Sequence, residues 1–106
     1  MAEKKVYLMI KATVHRSNLV REFNEFWGKE SLPAWTKHGA KHIGSFTMRA
    51  GGASNEIIRL FEFESLSHWQ QMEDFLVDTE EGRNLAKKLD QGFVISLEKS
   101  LLTSIY

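Results

Sequence analysis

Every second residue from Val6 to Val14 is apolar, and no other feature of the chain narrows its fold so far. In "VYLMIKATVH" the set Val6, Leu8, Ile10, Ala12 and Val14 is apolar throughout, whereas Tyr7, Met9, Lys11, Thr13 and His15 are mixed. A repeat of two is the repeat of a β-strand, so this pattern predicts a strand buried on one face and partly covered on the other. The segment "EIIRLFEFE", from Glu56 to Glu64, carries the same signature with larger side chains: Ile57, Arg59, Phe61 and Phe63 alternate with Ile58 and Leu60.

Between these strands the repeat changes. Val20, Phe23 and Trp27 recur at helical spacing with Phe26 beside them, and Ser17 is placed to cap the first turn, which predicts a helix from about Asn18 to His38. Pro33 interrupts it by removing a hydrogen bond and crowding the turn before it, so a kink or restart is expected near Ser31. Gly39 then ends the helix as a left-handed cap. "KHIGSFTMR", the turn "AGGASN" and "EIIRLFEFE" form an antiparallel pair from about Lys41 to Glu64. Ser67 with Gln70, and Asp78 with Glu81, have the spacing of capping boxes before two successive helices, the second ending near Gly92. A last strand is expected from about Phe93 to Leu102.

The resulting order is β-α-β-β-α-β with the second helix broken in two. This predicts an α+β, ferredoxin-like domain over residues 1–106, with a four-stranded antiparallel sheet and both helical segments on one face. The other face stays uncovered, although it too carries large apolar side chains, and an open apolar sheet of this kind calls for a partner. A second copy of the chain is the simplest one, because a two-fold interface needs only one self-complementary patch.

Charge narrows the partners further. Lys plus Arg equals Asp plus Glu at 14 each, so the electrostatic excess that drives binding to nucleic acid or an anionic membrane is missing. The chain has no cysteine, which excludes disulfides, thiolate nucleophiles and cysteine-held metals and fits a reducing, cytoplasmic setting. The apolar run near the start is too short for a signal-peptide core, and no window reaches the ~20 apolar residues that span a bilayer.

Three stretches carry a family resemblance: "VYLMIKATV", "EFNEFWGKESLPAWTKHGAKHIGSF" and "NEIIRLFEFESLSHW". Through them, over nearly its whole length, the chain resembles the dimeric α/β-barrel superfamily and within it the NIPSNAP-type domains. The resemblance implies that two protomers pack sheet against sheet into a barrel, each with a cavity between sheet and helices or at the barrel mouth. It also implies a range of activities, among them cofactor-free oxygenases acting on polyketide-like aromatics, haem-degrading oxygenases and small isomerases. The chain departs from the pattern in two places: Arg59 and Phe61 stand where NIPSNAP-like third strands tend to have His and Trp, and Leu8 and Ile10 where the first strand tends to have charged residues. No asparagine of the haem-degrading type lies in the first strand.

Candidate pocket residues follow from both sources. Arg59 among Phe61 and Phe63 offers an anionic or carbonyl oxygen a bidentate donor in an apolar setting; the alternative is an arginine paired with a carboxylate across an interface. Of the two helix tryptophans, Trp27 is assigned to the core and Trp35 to the cavity mouth, on a last turn freed by the kink. His68 beside Trp69 at a helix start is a candidate base or donor, against the plainer reading of an exposed histidine and a core tryptophan. His38 and His42 are four apart, but Gly39 breaks the helix between them, so no metal site is expected. Glu62 and Glu64 share a face and read most simply as edge charges. The even face of the first strand by itself belongs against the helices, whereas the resemblance turns Leu8 and Ile10 toward the barrel; the second orientation is adopted here.

These readings lead to a small homodimeric protein, without cofactor or metal, that binds a hydrophobic or aromatic small molecule and acts as a cofactor-independent monooxygenase or isomerase. A non-catalytic interaction dimer and a haem-binding protein are the alternatives.

Overall fold

A computed structural model of the chain describes residues 4–16, 19–47, 50–51, 54–90 and 94–103. Eight elements follow one another: β1 (Val6–Val14), α1 (Val20–Glu30), α2 (Leu32–Lys37), β2 (Lys41–Thr47), β3 (Glu56–Phe63), α3 (Leu66–Asp78), α4 (Glu80–Asp90) and β4 (Val94–Thr103). The strands form one antiparallel sheet in the order β2-β3-β1-β4, the ferredoxin-like arrangement expected from the sequence. The expected roles of Ser17, Gly92 and Phe93 fall outside the described residues.

The first helix breaks where Pro33 demands it. Ser31 N–H closes α1 on the Trp27 carbonyl at 2.8 Å, and the Ser31 carbonyl in turn accepts from Ala34 and Trp35 to begin α2. Gly39 adopts φ 91° and ends α2 with two crossed bonds, from Gly39 N–H to Thr36 O and from Ala40 N–H to Trp35 O, the Schellman arrangement that a left-handed residue permits. Trp35 is thereby fixed rather than freed: it is buried and its ring stacks on Phe61 with centroids 4.7 Å apart. The expectation of a mobile last turn carrying Trp35 at a mouth is corrected by these bonds.

Two capping assignments also shift. Ser65, not Ser67, caps α3, its hydroxyl accepting from His68 N–H. Thr79, not Asp78, joins α3 to α4, donating to the Phe75 carbonyl and accepting from Gly82 N–H. That junction is tight enough that a Cβ on Gly82 would lie 2.0 Å from the Phe75 carbonyl oxygen, so only glycine fits there.

The orientation of β1 is the main correction. Val6, Leu8, Ile10, Ala12 and Val14 are all buried, and Leu8 and Ile10 pack with Trp27, Trp35, Phe61, Phe63, Met72 and Phe75 beneath the helices. The strictly apolar face goes where sheet and helices together exclude water, as the alternation alone requires. Tyr7, Met9 and Lys11 consequently lie on the open face, opposite Glu62, Leu60 and Ile58 of β3. Glu62 is also not at an edge: β3 is an interior strand, and Glu62 pairs with Lys5 at 3.2 Å.

Candidate functional site

One row of residues crosses the sheet on the helix side. Register aligns Ser45 of β2 with Arg59 of β3, Arg59 with Ile10 of β1, and Ile10 with Lys99 of β4. Above this row lies a cavity of about 130 Å³. Its floor is Ile10, Ala12 and Arg59, and its roof is Phe23 and Trp27 of α1, Trp35 of α2 and Leu76 of α3. Leu85 and Ala86 of α4 face Val94, Leu97 and Lys99 of β4 on its remaining side. Apart from Arg59 and Lys99, the lining is apolar.

Arg59 is the unusual member. It is only 2% exposed, and its guanidinium lies over the Trp27 ring with its carbon 3.7 Å from the ring centroid. Nη1 donates to Asn24 Oδ1 at 2.8 Å and to Ser45 Oγ at 2.7 Å, while Nη2 is buried with no acceptor. Among the described residues no carboxylate pairs with it. Burial alone pulls its pKa down to about 10, which leaves it charged at neutral pH. A cation this deep is ordinarily neutralised by a neighbouring anion.

A second polar group reaches Arg59 through Ser45. His42 Nε2 lies 2.9 Å from Ser45 Oγ, and the imidazole is wedged against the Trp27 and Phe61 rings. Burial first, and the Arg59 charge second, lower the His42 pKa, so the ring is neutral at pH 7. With Arg59 donating to Ser45 Oγ, the serine hydroxyl proton is free to point at Nε2. Residues 42 and 45 should face opposite sides of a regular strand, but the extra residue Ile43 forms a bulge between His42 and Gly44 that brings both to the helix side. Asn24 and Ser45 also line an open groove of about 520 Å³ beside the hairpin, so Arg59 stands between cavity and groove.

Of the residues expected at a pocket, Ile10, Trp35 and Arg59 line the cavity. Leu8, Phe61 and Phe63 are fully buried behind it as core. His68 and Trp69 are elsewhere: the exposed His68 bonds Ser65 Oγ through Nδ1 at 2.7 Å, and Trp69 packs half-buried against the core with its indole N–H unpaired. Sequence reasoning missed Trp27, Ser45, His42 and Lys99. Gly44 was the available signal, since a glycine inside a strand marks a bulge and hence a change of face.

Among the described residues no cluster of three His, Cys, Asp or Glu could hold a metal ion. Nor do the residues fit a haem: the cavity lining has no ligating side chain, and about 130 Å³ does not admit a macrocycle. No described helix is long and apolar enough to cross a membrane.

Comparison with known proteins agrees with this architecture. An uncharacterised NIPSNAP-like domain protein from Burkholderia xenovorans superposes with a TM-score of 0.78 at 18% identity, covering 97% of this chain and 87% of the other. A dimeric ferredoxin-like protein from an uncultured marine organism superposes with a TM-score of 0.73 at 17% identity, over 98% of this chain and 90% of the other. SnoaB, a cofactor-independent oxygenase from Streptomyces nogalater, does so with a TM-score of 0.68 at 14% identity, over 97% and 95%. At these identities the likeness is one of fold. No curated protein matches the chain in sequence. The NIPSNAP family model matches residues 14–105, almost the entire chain, and the protein therefore belongs to the NIPSNAP family.

Proposed function

We propose that the protein is a homodimer that binds a small hydrophobic or aromatic molecule in the cavity beneath its helices and converts it as a cofactor-independent monooxygenase or isomerase. The observation that carries this reading is Arg59, a buried guanidinium with no counter-ion among the described residues, at the wall of an apolar cavity. A dry, fixed cation is the group that stabilises an oxyanion developing on an enolate or phenolate. Neutral His42, reaching Arg59 through Ser45, is the nearby group able to take up a proton. SnoaB shares the fold and is a cofactor-independent oxygenase, which supports the chemistry without supplying its residues.

The dimer rests on the open sheet face. Tyr7, Met9, Ile58 and Leu60 stay half-buried there, with Phe46 and Leu102 exposed beside them, an apolar surface that a second copy would cover. A ferredoxin-like relative is dimeric, in keeping with that reading.

A second reading is favoured by the cavity's size. Ligand sites usually span ~300–1,000 Å³, well above the value here, and a non-catalytic interaction dimer needs no larger space. Native mass spectrometry of freshly purified protein separates the two. A dimer carrying extra mass is the expected result; a dimer that is always bare, with no turnover or binding across an aromatic library, favours the interaction module, and a stable monomer overturns the dimer.

A further inference from the structure

We propose that the cavity is built for a single aromatic ring bearing one negative charge, of the arylcarboxylate class, whose anionic oxygen supplies the counter-charge that the Arg59 guanidinium lacks among the described residues. The proposal rests on the ligand-binding reading above and narrows it to a substrate class.

Three observations converge on this class. The first is geometric: a dry apolar cavity of roughly 150 Å³ holds one benzene ring. The space here, about 130 Å³ and walled by Phe23, Trp27 and Trp35, is of that scale, so a single ring fills it. The second is hydrogen bonding. Trp27 covers one face of the guanidinium, and Asn24 and Ser45 occupy Nη1, so any further acceptor must meet the group in its plane at another nitrogen. Nη2 is without one, and a ligand oxygen reaches it as the side chains packed over it give way.

The third observation is charge. Arg59 and Lys99 both line the cavity, and Lys99 is already paired with Glu73 at 3.3 Å. Two cations and one carboxylate leave a single uncompensated positive charge, which one anionic group would neutralise. His42 adds none while neutral. A dianion would carry excess charge into an apolar space, and a neutral ring would leave the guanidinium unpaired.

Three probes separate these terms in the wild-type dimer: benzoate has ring and charge, toluene only the ring, and acetate only the charge. Binding is followed by NMR through the indole N–H signals of Trp27 and Trp35. Benzoate is expected to bind at least tenfold more tightly than either toluene or acetate, the factor a hydrogen bond to a charged group supplies. In Arg59→Met that advantage disappears while toluene binding persists, and 2-naphthoate binds the wild type at least tenfold more weakly than benzoate. Toluene binding as tightly as benzoate overturns the charge assignment and leaves the ligand-binding reading intact. Acetate matching benzoate overturns the aromatic part, and 2-naphthoate matching it overturns the single ring. Silence from all three probes overturns the substrate class, and the ligand-binding reading falls with it only if native mass spectrometry also finds the dimer bare. Because the first comparison uses only the wild type, a misfolded variant does not blunt it.

Discussion

The two faces of the sheet differ in one buried charge. On the open face, where water is available, two lysines are paired: Lys11 with Glu56 at 2.8 Å and Lys5 with Glu62 at 3.2 Å, each carboxylate raising the pKa of its lysine. On the helix face Lys99 is paired with Glu73, but the buried Arg59 has no carboxylate partner among the described residues. Stability alone would favour the reverse, because an exposed pair contributes little and a buried lone charge is costly. The difference shows that the two faces answer to different requirements: the open face is finished with paired charges, and the helix face keeps a lone buried cation beside a cavity.

Substitutions at neighbouring positions of β3 test that contrast, because Leu60 and Phe61 point to opposite sides. Phe61→Ala removes a fully buried ring stacked on Trp35, and should cost about 3–5 kcal/mol in urea unfolding. Leu60→Glu places a charge in the proposed interface. It should raise the dimer dissociation constant at least about 100-fold in analytical ultracentrifugation, equivalent to ~2.7 kcal/mol. Equal effects of the two changes on unfolding of the isolated protomer would erase the distinction between faces.

Arg59→Met has a smaller expected effect on folding, because the lost bonds to Asn24 and Ser45 are offset by relief from burying a lone cation. Stability should change by less than about 1 kcal/mol, in either direction. A loss of several kcal/mol would mean that Arg59 is a structural residue. Smallest of all is the effect of His42→Asn. Because folding lowers the His42 pKa, the unfolded chain takes up a proton that the folded chain refuses, and stability falls as the pH drops below the ordinary value of 6.5. The variant should flatten that part of the stability-pH curve, and an unchanged slope would show that His42 titrates normally.

Much of the fold was legible because it rests on local rules. The alternation in β1, the break before Pro33 and the left-handed Gly39 each follow from one stretch of chain, and each stands in the structure. The capping serine and threonine were misplaced by one or two residues, since several polar residues near each helix start had suitable spacing and only the hydrogen bonds choose among them. The orientation of β1 was legible from its own alternation and was lost when the resemblance was given more weight. Arg59 and Trp35 were readable as pocket residues. Lys99 was not, because its place in the row depends on how β4 registers against β1. His68 and Trp69 were drawn in by their chemistry alone, although their helix start lies away from the row that floors the cavity.

The bulge at Ile43 makes the site depend on backbone register as much as on residue identity. Straightening β2 with every residue kept would put residues 42 and 45 on opposite sides of the sheet, carrying Ser45 away from Arg59 and breaking its link to His42. A serine, a histidine and an arginine could all be retained while the contact between them vanished. Among descendants of such a chain, loss of the bulge would therefore mark a change of chemistry even where all three residues are kept.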